Sequence, residues 1–199
     1  QARGRFDVFV GSPAVMAQVC GFADSRGSLA CGIPRATPAQ DGLARLKSQP
    51  RWRLLAIDGA NNAANIGSLI RTAACFGVTA VLMSEDCCDA WHRQAVRVSM
   101  GHVFRIPILR VPLATTLTSL RGDGLQVFSA IVDTHTKLLR DIREAPERWC
   151  LVVGNETRGV SDEVRQVSDT LLKFDMAPGV NSANVIVAAG VLLNGLRER

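Results

Sequence analysis

The chain contains no tyrosine, and aromatic residues make up only 5% of its 199 positions. That scarcity argues against a surface that stacks a run of nucleic-acid bases on interleaved aromatic side chains. No apolar run is long enough to span a bilayer, and the opening QARGRFDVFVGSP lacks the apolar stretch of a signal peptide. The six cysteines (Cys20, Cys31, Cys75, Cys87, Cys88 and Cys150) are scattered and form no C-x-x-C pair. Neither a zinc site nor a disulfide framework is visible in that pattern, and it implies a reducing compartment, the cytoplasm. No G-x-G-x-x-G follows a strand, which removes the ordinary dinucleotide fingerprint. The segment GNETRG has glycines spaced like a P-loop but no G-K-[ST], so nucleotide hydrolysis is unsupported. No HExxH or other metal-ligand spacing occurs. His92, His102 and His135 are isolated and read as surface or local hydrogen-bonding groups.

What is present reads as a globular α/β chain with a modest net charge of +5, compatible with a polyanionic partner without demanding one. The chain begins with Gln1 rather than Met, and its true start is expected to be missing. Phe6 to Val10 and Ser28 to Ile33 read as short strands. Between them Ser12-Pro13 reads as the cap and first residue of a helix over Ala14 to Phe22. Pro34 to Pro50 reads as a linker, with a short helix around Leu43 to Lys47. The first fifty residues are too few for a core of their own and look like the tail of a larger domain, giving a division into 1–50 and 51–199.

From Leu54 onward, apolar strand-like runs alternate with helical periodicity, which predicts a mainly parallel sheet. Strands are expected at Leu54 to Ile57, Val78 to Met83, Phe104 to Ile108, Gln126 to Val132, Trp149 to Val153 and Thr170 to Phe174. Ile66 to Phe76 should be a helix, with Ile66, Leu69, Ile70 and Ala73 at helical spacing and Gly77 closing it. Arg93 and Arg97 fall on a short helix ending near Gly101, Thr115 to Arg121 forms another, and Ser161 caps a third. The stretch Val180 to Leu196 begins polar and then becomes apolar on nearly every face, as a helix covered on every side would be. Ser182 is the expected N-cap of that helix.

Three loops stand out because each follows an apolar strand: Gly59 to Gly67 (GANNAANIG, leading to Arg71), Gly154 to Gly159 (GNETRG) and Met176 to Asn184 (MAPGVNSAN). Ligands of open parallel sheets sit beyond the carboxyl ends of the strands, where these loops should meet. Together they resemble the three motifs of the SPOUT class of RNA methyltransferases, in particular its SpoU (TrmH-like) ribose 2′-O-methyltransferase branch. The first motif is matched by Asn65, Gly67 and Arg71-Thr72-Ala73, the second by Gly154, Glu156 and Gly159. Met176, Gly179, Ser182, Asn184 and Val185 match the third. Val96-Arg97-Val98-Ser99-Met100-Gly101 with Phe104 and Pro107 is similar to a further stretch of that family. Three positions depart from the pattern: Asp175 replaces the usual Pro, Ala183 the usual Leu, and Ile186 the usual Ser.

The resemblance covers Leu54 to the carboxyl terminus. It implies helices on both faces of the sheet, a C-terminal deep trefoil knot, S-adenosyl-L-methionine as cofactor, and a homodimer through the last helix. It also implies methylation of a ribose 2′-OH in structured RNA, with rRNA favoured over tRNA, and no metal or membrane. Residues 1–50 would then be the remnant of an RNA-binding domain plus linker. Site residues implied as catalytic are Arg71, Asn65, Glu156, Ser182 and Asn184. Gly154, Asn155, Glu156, Gly159, Phe174, Met176, Ser182, Ala183 and Asn184 would hold the cofactor. Arg71, Arg93, Arg97, Arg45 and Lys47 would contact RNA. Arginine is too basic to accept a proton readily, so Arg71 is expected to stabilise charge and position substrate. Asn65 would orient the ribose or Arg71, or cap its helix, and Glu156 would brace Arg71 or order the loops. Two other readings remain: a knotted RNA-binding relative without catalysis, and a nucleotide-binding module disfavoured by the missing glycine fingerprint.

Overall fold

The computed structural model describes residues 7–21, 28–34, 38–133 and 136–197. The chain divides into two compact units, Gln1–Arg35 and Ala36–Arg199. In the first, helix α1 spans Pro13–Cys20 as expected, with the Ser12 hydroxyl accepting the Val15 N–H at 3.4 Å. The two strands expected around it do not form among the described residues; 7–10 and 28–33 are irregular, and Phe9, Val10 and Ile33 lie exposed. An apolar run becomes a strand only when another strand takes its backbone hydrogen bonds, and none is offered there among the described residues. Phe6 and Phe22 fall outside the described residues.

The second unit begins with α2 (Ala39–Lys47), earlier than the helix expected there, and Leu46 buries into the same core as Leu109. This helix therefore packs with the sheet instead of belonging to a linker. The chain then runs β1 (Trp52–Ile57), α3 (Ala63–Cys75), β2 (Ala80–Met83), α4 (Arg93–Val98), a 3-10 turn (His102–Phe104) and β3 (Ile108–Arg110). After α5 (Leu113–Gly122) come β4 (Gln126–Ala130), β5 (Lys137–Leu138) and a second 3-10 turn (Leu139–Asp141). The remainder is β6 (Arg148–Val153), α6 (Asp162–Gln166), β7 (Thr170–Lys173) and α7 (Val185–Arg197).

All seven strands pair in parallel in one sheet, in the order β3-β2-β1-β6-β4-β7-β5. The apolar runs of β1 and β6 lie in register, Leu54 beside Cys150, Leu55 beside Leu151, Ala56 beside Val152 and Ile57 beside Val153. Because side chains alternate along a strand, β1 feeds two separate cores. Leu55 and Ile57 join Ile66, Leu69 and Ile70 of α3 and Leu192, Leu193 and Leu196 of α7. Leu54 and Ala56 join Leu46, Leu117, Leu120 and Val164. Each fully buried Leu or Ile stabilises the fold by about 1.5–3 kcal/mol relative to exposure.

Several elements differ from the sequence expectation. Helix α3 starts at Ala63 because Asn62, not Asn65, caps it, its side-chain oxygen accepting the Ala64 N–H at 2.9 Å. Phe104 to Ile108 is not one strand: Phe104 ends a 3-10 turn and the strand begins at Ile108. Strand β5 has two residues, too few to show any periodicity. Ser161 occupies the cap position of α6 but makes no side-chain capping bond. Helix α7 is not covered all round. Ala189, Leu192, Leu193 and Leu196 are buried, whereas Val187 is 54% exposed and Val191 39%. Its buried stripe faces the sheet and α3, and among the described residues the face carrying Val187 and Val191 is left partly open.

Candidate functional site

Three neighbouring parallel strands, β6, β4 and β7, end at one edge, and their carboxyl ends open onto a cavity of about 370 Å³. Strand ends in such sheets form crevices because the loops that follow diverge. Ala130 to Val132, Val153 to Asn155 and Leu172 to Phe174 form its floor. Met176, Ser182, Ala183 and Asn184 of the third loop and Val185, Ala188 and Leu192 of α7 form a wall. All nine residues expected to hold a cofactor line this cavity: Gly154, Asn155, Glu156, Gly159, Phe174, Met176, Ser182, Ala183 and Asn184. Ala130 to Val132 were not singled out from sequence. They follow an apolar strand, as the three chosen loops do, so the same strand-end rule applied to β4 points to them.

The second loop is a tight reversal. Asn155 and Gly159 exchange backbone hydrogen bonds at 3.0 and 2.8 Å. A side chain at Gly154 would place its Cβ 2.1 Å from the Gly159 carbonyl carbon, so only glycine fits where the strand enters the turn. Asn155 is 8% exposed and fully engaged. Its side-chain N–H donates to the Gly59 carbonyl at 2.8 Å, and its side-chain oxygen accepts the N–H groups of Thr157 (2.9 Å) and Arg158 (3.1 Å). It thereby ties the first loop to the second. The Gly59 N–H in turn donates to Ser84 Oγ at 2.8 Å, and that hydroxyl donates to Asp86 at 2.6 Å. The Arg110 guanidinium holds this neighbouring turn by donating to the carbonyls of Glu85 (2.8 Å), Cys87 (2.7 Å) and Cys88 (3.1 Å). Burial pushes the Cys87 thiol above its ordinary pKa, so this sulfur stays protonated.

The expected catalytic residues are distributed unevenly. Asn65, in the first turn of α3, donates its side-chain N–H to the Glu156 carboxylate. Glu156 therefore braces Asn65 and not Arg71. Arg71 is exposed on α3, does not line the cavity, and makes no hydrogen bond or ion pair among the described residues. Asn184, not Ser182, caps α7: its side-chain oxygen accepts the Ile186 N–H at 2.9 Å. Ser182 lies exposed on the cavity wall. Asp175 forms an ion pair with Arg140 at 2.7 Å, so its carboxylate is locally balanced. Ala183 lines the cavity with a side chain of one carbon, and Ile186 is half-buried against the core.

Among the basic residues expected to contact RNA, Lys47 pairs with Asp123 at 2.7 Å. Arg45 is exposed on α2, and Arg93 and Arg97 are exposed on α4. His92 makes a local bond, accepting the Gln94 N–H at 3.2 Å, and His135 lies outside the described residues. Among the described residues, no group of three or more His, Cys, Asp or Glu could hold a metal ion, and no helix is long and apolar enough to cross a membrane.

The profile of the SpoU rRNA Methylase family matches residues 53–194. An uncharacterized tRNA/rRNA methyltransferase of Mycobacterium bovis is 33% identical over 183 residues, covering 90% of this chain and 62% of the relative. The 23S rRNA (guanosine(2553)-2′-O)-methyltransferase of Bacillus subtilis is 30% identical over 145 residues, covering 73% of this chain and 58% of that enzyme. Among solved structures, an AdoMet-bound rRNA methyltransferase from Sinorhizobium meliloti superposes with a TM-score of 0.73 at 27% identity, covering 82% of this chain and 61% of that one. The chain thus spans about three-fifths of the length of these relatives.

Proposed function

The chain belongs to the SpoU rRNA Methylase family, and on that premise we propose that it transfers a methyl group from S-adenosyl-L-methionine to a ribose 2′-OH of structured RNA, ribosomal RNA before transfer RNA. The observation that carries this reading is the convergence of the second and third loops on one cavity at the ends of β6, β4 and β7. The residues fit the cofactor. A volume of about 370 Å³ lies within the range of small-molecule sites. Ile131, Leu172, Phe174 and Val185 offer apolar surface for a flat ring, and backbone groups around Gly154, Met176 and Ala183 can serve its polar edges. The similar S. meliloti enzyme binds AdoMet in its crystal structure, and the B. subtilis relative is a 2′-O-methyltransferase by name.

When bound, the sulfonium supplies an activated methyl group that needs no metal, only in-line approach by a nucleophile in a dry, shaped site. Asn65, held by Glu156, orients the ribose. Arg71, exposed on α3, stabilises the developing alkoxide and holds a substrate phosphate. Ser182 and Asn184 shape the cavity wall, Asn184 also through its cap on α7. Arg45, Lys47, Arg93 and Arg97 draw the RNA backbone, which makes binding weaken with salt.

The same reading includes helices on both faces of the sheet, supported by the two separate apolar cores, and a C-terminal trefoil knot. It includes a homodimer through α7, supported by exposed Val187 and Val191 on that helix. Residues 1–35 form a unit apart from the sheet and belong to an RNA-binding domain, and the protein works in the cytoplasm. The test is transfer of labelled methyl to ribosomal and transfer RNA transcripts, followed by alkaline hydrolysis. An alkali-resistant labelled dinucleotide is the expected product. Labelled mononucleotides modified on the base would overturn the ribose assignment, and cofactor binding without transfer to either RNA would favour the non-catalytic relative.

A further inference from the structure

The segment between β2 and β3 carries an apolar surface that lies outside the cofactor cavity. Helix α4 is pressed against α3 where Gly67 faces Ala95; a Cβ on Gly67 would lie 2.4 Å from the Ala95 carbonyl oxygen, so only glycine lets the two helices meet so closely. Ala95 is fully buried there. Arg97 lies two residues on, about 200° round the helix, and so points away from α3. The chain leaving α4 then does two unfavourable things. Met100 adopts a left-handed backbone (φ 52°), the only described non-glycine residue that does, at a cost of about 1–2 kcal/mol. It also presents its side chain to solvent at 68% exposure, and Phe104 beyond it is likewise 68% exposed. The Phe104 ring lies 5.6 Å from that of Trp91, tilted by 48°. Backbone strain beside exposed apolar side chains is a reason to look for a ligand.

The charge around this patch is mostly positive, the exception being the Asp89 carboxylate that accepts the Trp91 N–H at 3.0 Å. From Ala90 to Gly122 the sequence contains no Asp or Glu, while Arg93, Arg97, Arg105, Arg110 and Arg121 all fall within it. Arg110 is spent on the carbonyls of the 84–88 turn and Arg121 on Asp169. The guanidinium groups of Arg97 and Arg105 are exposed and have no carboxylate partner among the described residues.

We propose that Trp91, Met100 and Phe104 receive one unpaired RNA base, with Arg97 and Arg105 holding the phosphates that flank it. This rests on the RNA-directed reading above and adds to it that the substrate presents a looped-out or single-stranded nucleotide. Bases unstacked from a helix are recognised on aromatic faces, and arginines beside them hold the backbone. One aromatic pair with a methionine serves a single base, consistent with a chain too poor in aromatics for a longer platform. A second copy of the chain is the less suitable occupant, because a twofold contact on this patch would gather four arginines, Arg97 and Arg105 of each copy, against a single carboxylate from each, Asp89.

The test compares the full chain with Phe104→Trp, Phe104→Leu and the Arg97→Gln/Arg105→Gln double variant. The probes are an RNA hairpin carrying 2-aminopurine at an unpaired loop position and the same sequence as a full duplex. The native protein and Phe104→Trp should bind the hairpin more tightly than the duplex and quench its fluorescence. Phe104→Leu, which keeps an apolar side chain without an aromatic face, should bind the hairpin about tenfold more weakly and lose the quenching. The double arginine variant should flatten the salt dependence of binding by about 1.4 units of slope, two single-strand phosphate contacts at about 0.7 each. Hairpin binding that is equal in Phe104→Leu and the native protein overturns the site. So does a change in sedimentation of Phe104→Leu without a change in RNA affinity, which would assign the patch to a second copy. If the native protein binds neither RNA while still binding S-adenosylmethionine by calorimetry, the RNA reading fails and this site fails with it, whereas native binding with an indifferent Phe104 removes the site alone.

Discussion

Asn65 donates its side-chain N–H to the carboxylate of Glu156, 91 residues further along the chain, and so joins the first turn of α3 to the loop after β6. The pair is solvent-accessible, which makes it a weak source of stability and a sensitive reporter of function. Asn65→Ala and Glu156→Ala should each leave unfolding stability within about 0.5 kcal/mol of the native value while lowering methyl transfer. The double variant should be little worse than the worse single, because the two side chains act as a unit. Strictly additive losses in transfer rate would mean that each residue acts alone.

Asn155 should behave oppositely. It is buried, and its carboxamide satisfies the Gly59 carbonyl and two N–H groups of its own loop. Asn155→Ala leaves these groups without partners and should cost about 1–3 kcal/mol in denaturant unfolding, with a parallel loss of cofactor affinity by calorimetry. Asn155→Asp can still accept from Thr157 and Arg158 but cannot donate to Gly59, so it should retain the turn and lose the tie between loops. An Asn155→Ala protein of native stability would show that the tie is dispensable.

The cap of α7 separates two neighbouring polar residues. Asn184→Ala removes the bond to the Ile186 N–H and should lower stability by about 1 kcal/mol. Ser182→Ala removes no capping bond and should stay within about 0.5 kcal/mol. Thermal unfolding of the two variants decides which residue starts the helix.

Thiol labelling should follow burial. Cys31 and Cys75 are exposed and should react first with an aromatic disulfide reagent, whereas Cys87 and Cys150 are buried and should react only on unfolding. Burial pushes both buried thiols above the ordinary value of 9.0. The stability that comes from keeping them neutral is complete below about pH 9, where the unfolded thiol is also neutral. It is lost as pH rises beyond that, because only the unfolded chain ionises easily. Denaturation midpoints should therefore fall above pH 9.

Val187→Glu and Val191→Glu test the homodimer. Both valines are exposed on α7, so a carboxylate there should leave the monomer folded by circular dichroism. If α7 forms the dimer contact, sedimentation should shift to the monomer, since an unpaired charge is costly in a buried interface. An unchanged oligomeric state would place the contact elsewhere.

The apolar runs Leu54 to Ile57 and Trp149 to Val153 were readable as buried strands because their composition decides that by itself, and their parallel pairing followed from the helices between them. The second and third loops were readable as a candidate site because both follow such strands, and one cavity is lined by all nine of the residues chosen there. Local chemistry was less decisive where two residues could play one part. Asn62 and Asn65 are both good caps, as are Ser182 and Asn184, and the choice depends on where the backbone turns. The strand expected at Phe104 to Ile108 failed because the positive φ at Met100 and Gly101 redirects the chain into a 3-10 turn.

Composition and spacing thus determined the α/β class, most of the elements and the candidate loops, since these depend on residues close together in sequence. Tertiary structure alone decided that Glu156 meets Asn65 and not Arg71, that Asn155 ties two loops together, that Asp175 is balanced by Arg140, and that one stripe of α7 stays open. Each of these joins positions far apart in the chain or concerns which face of an element finds a neighbour, and periodicity along a sequence contains no information about what lies across a gap in space.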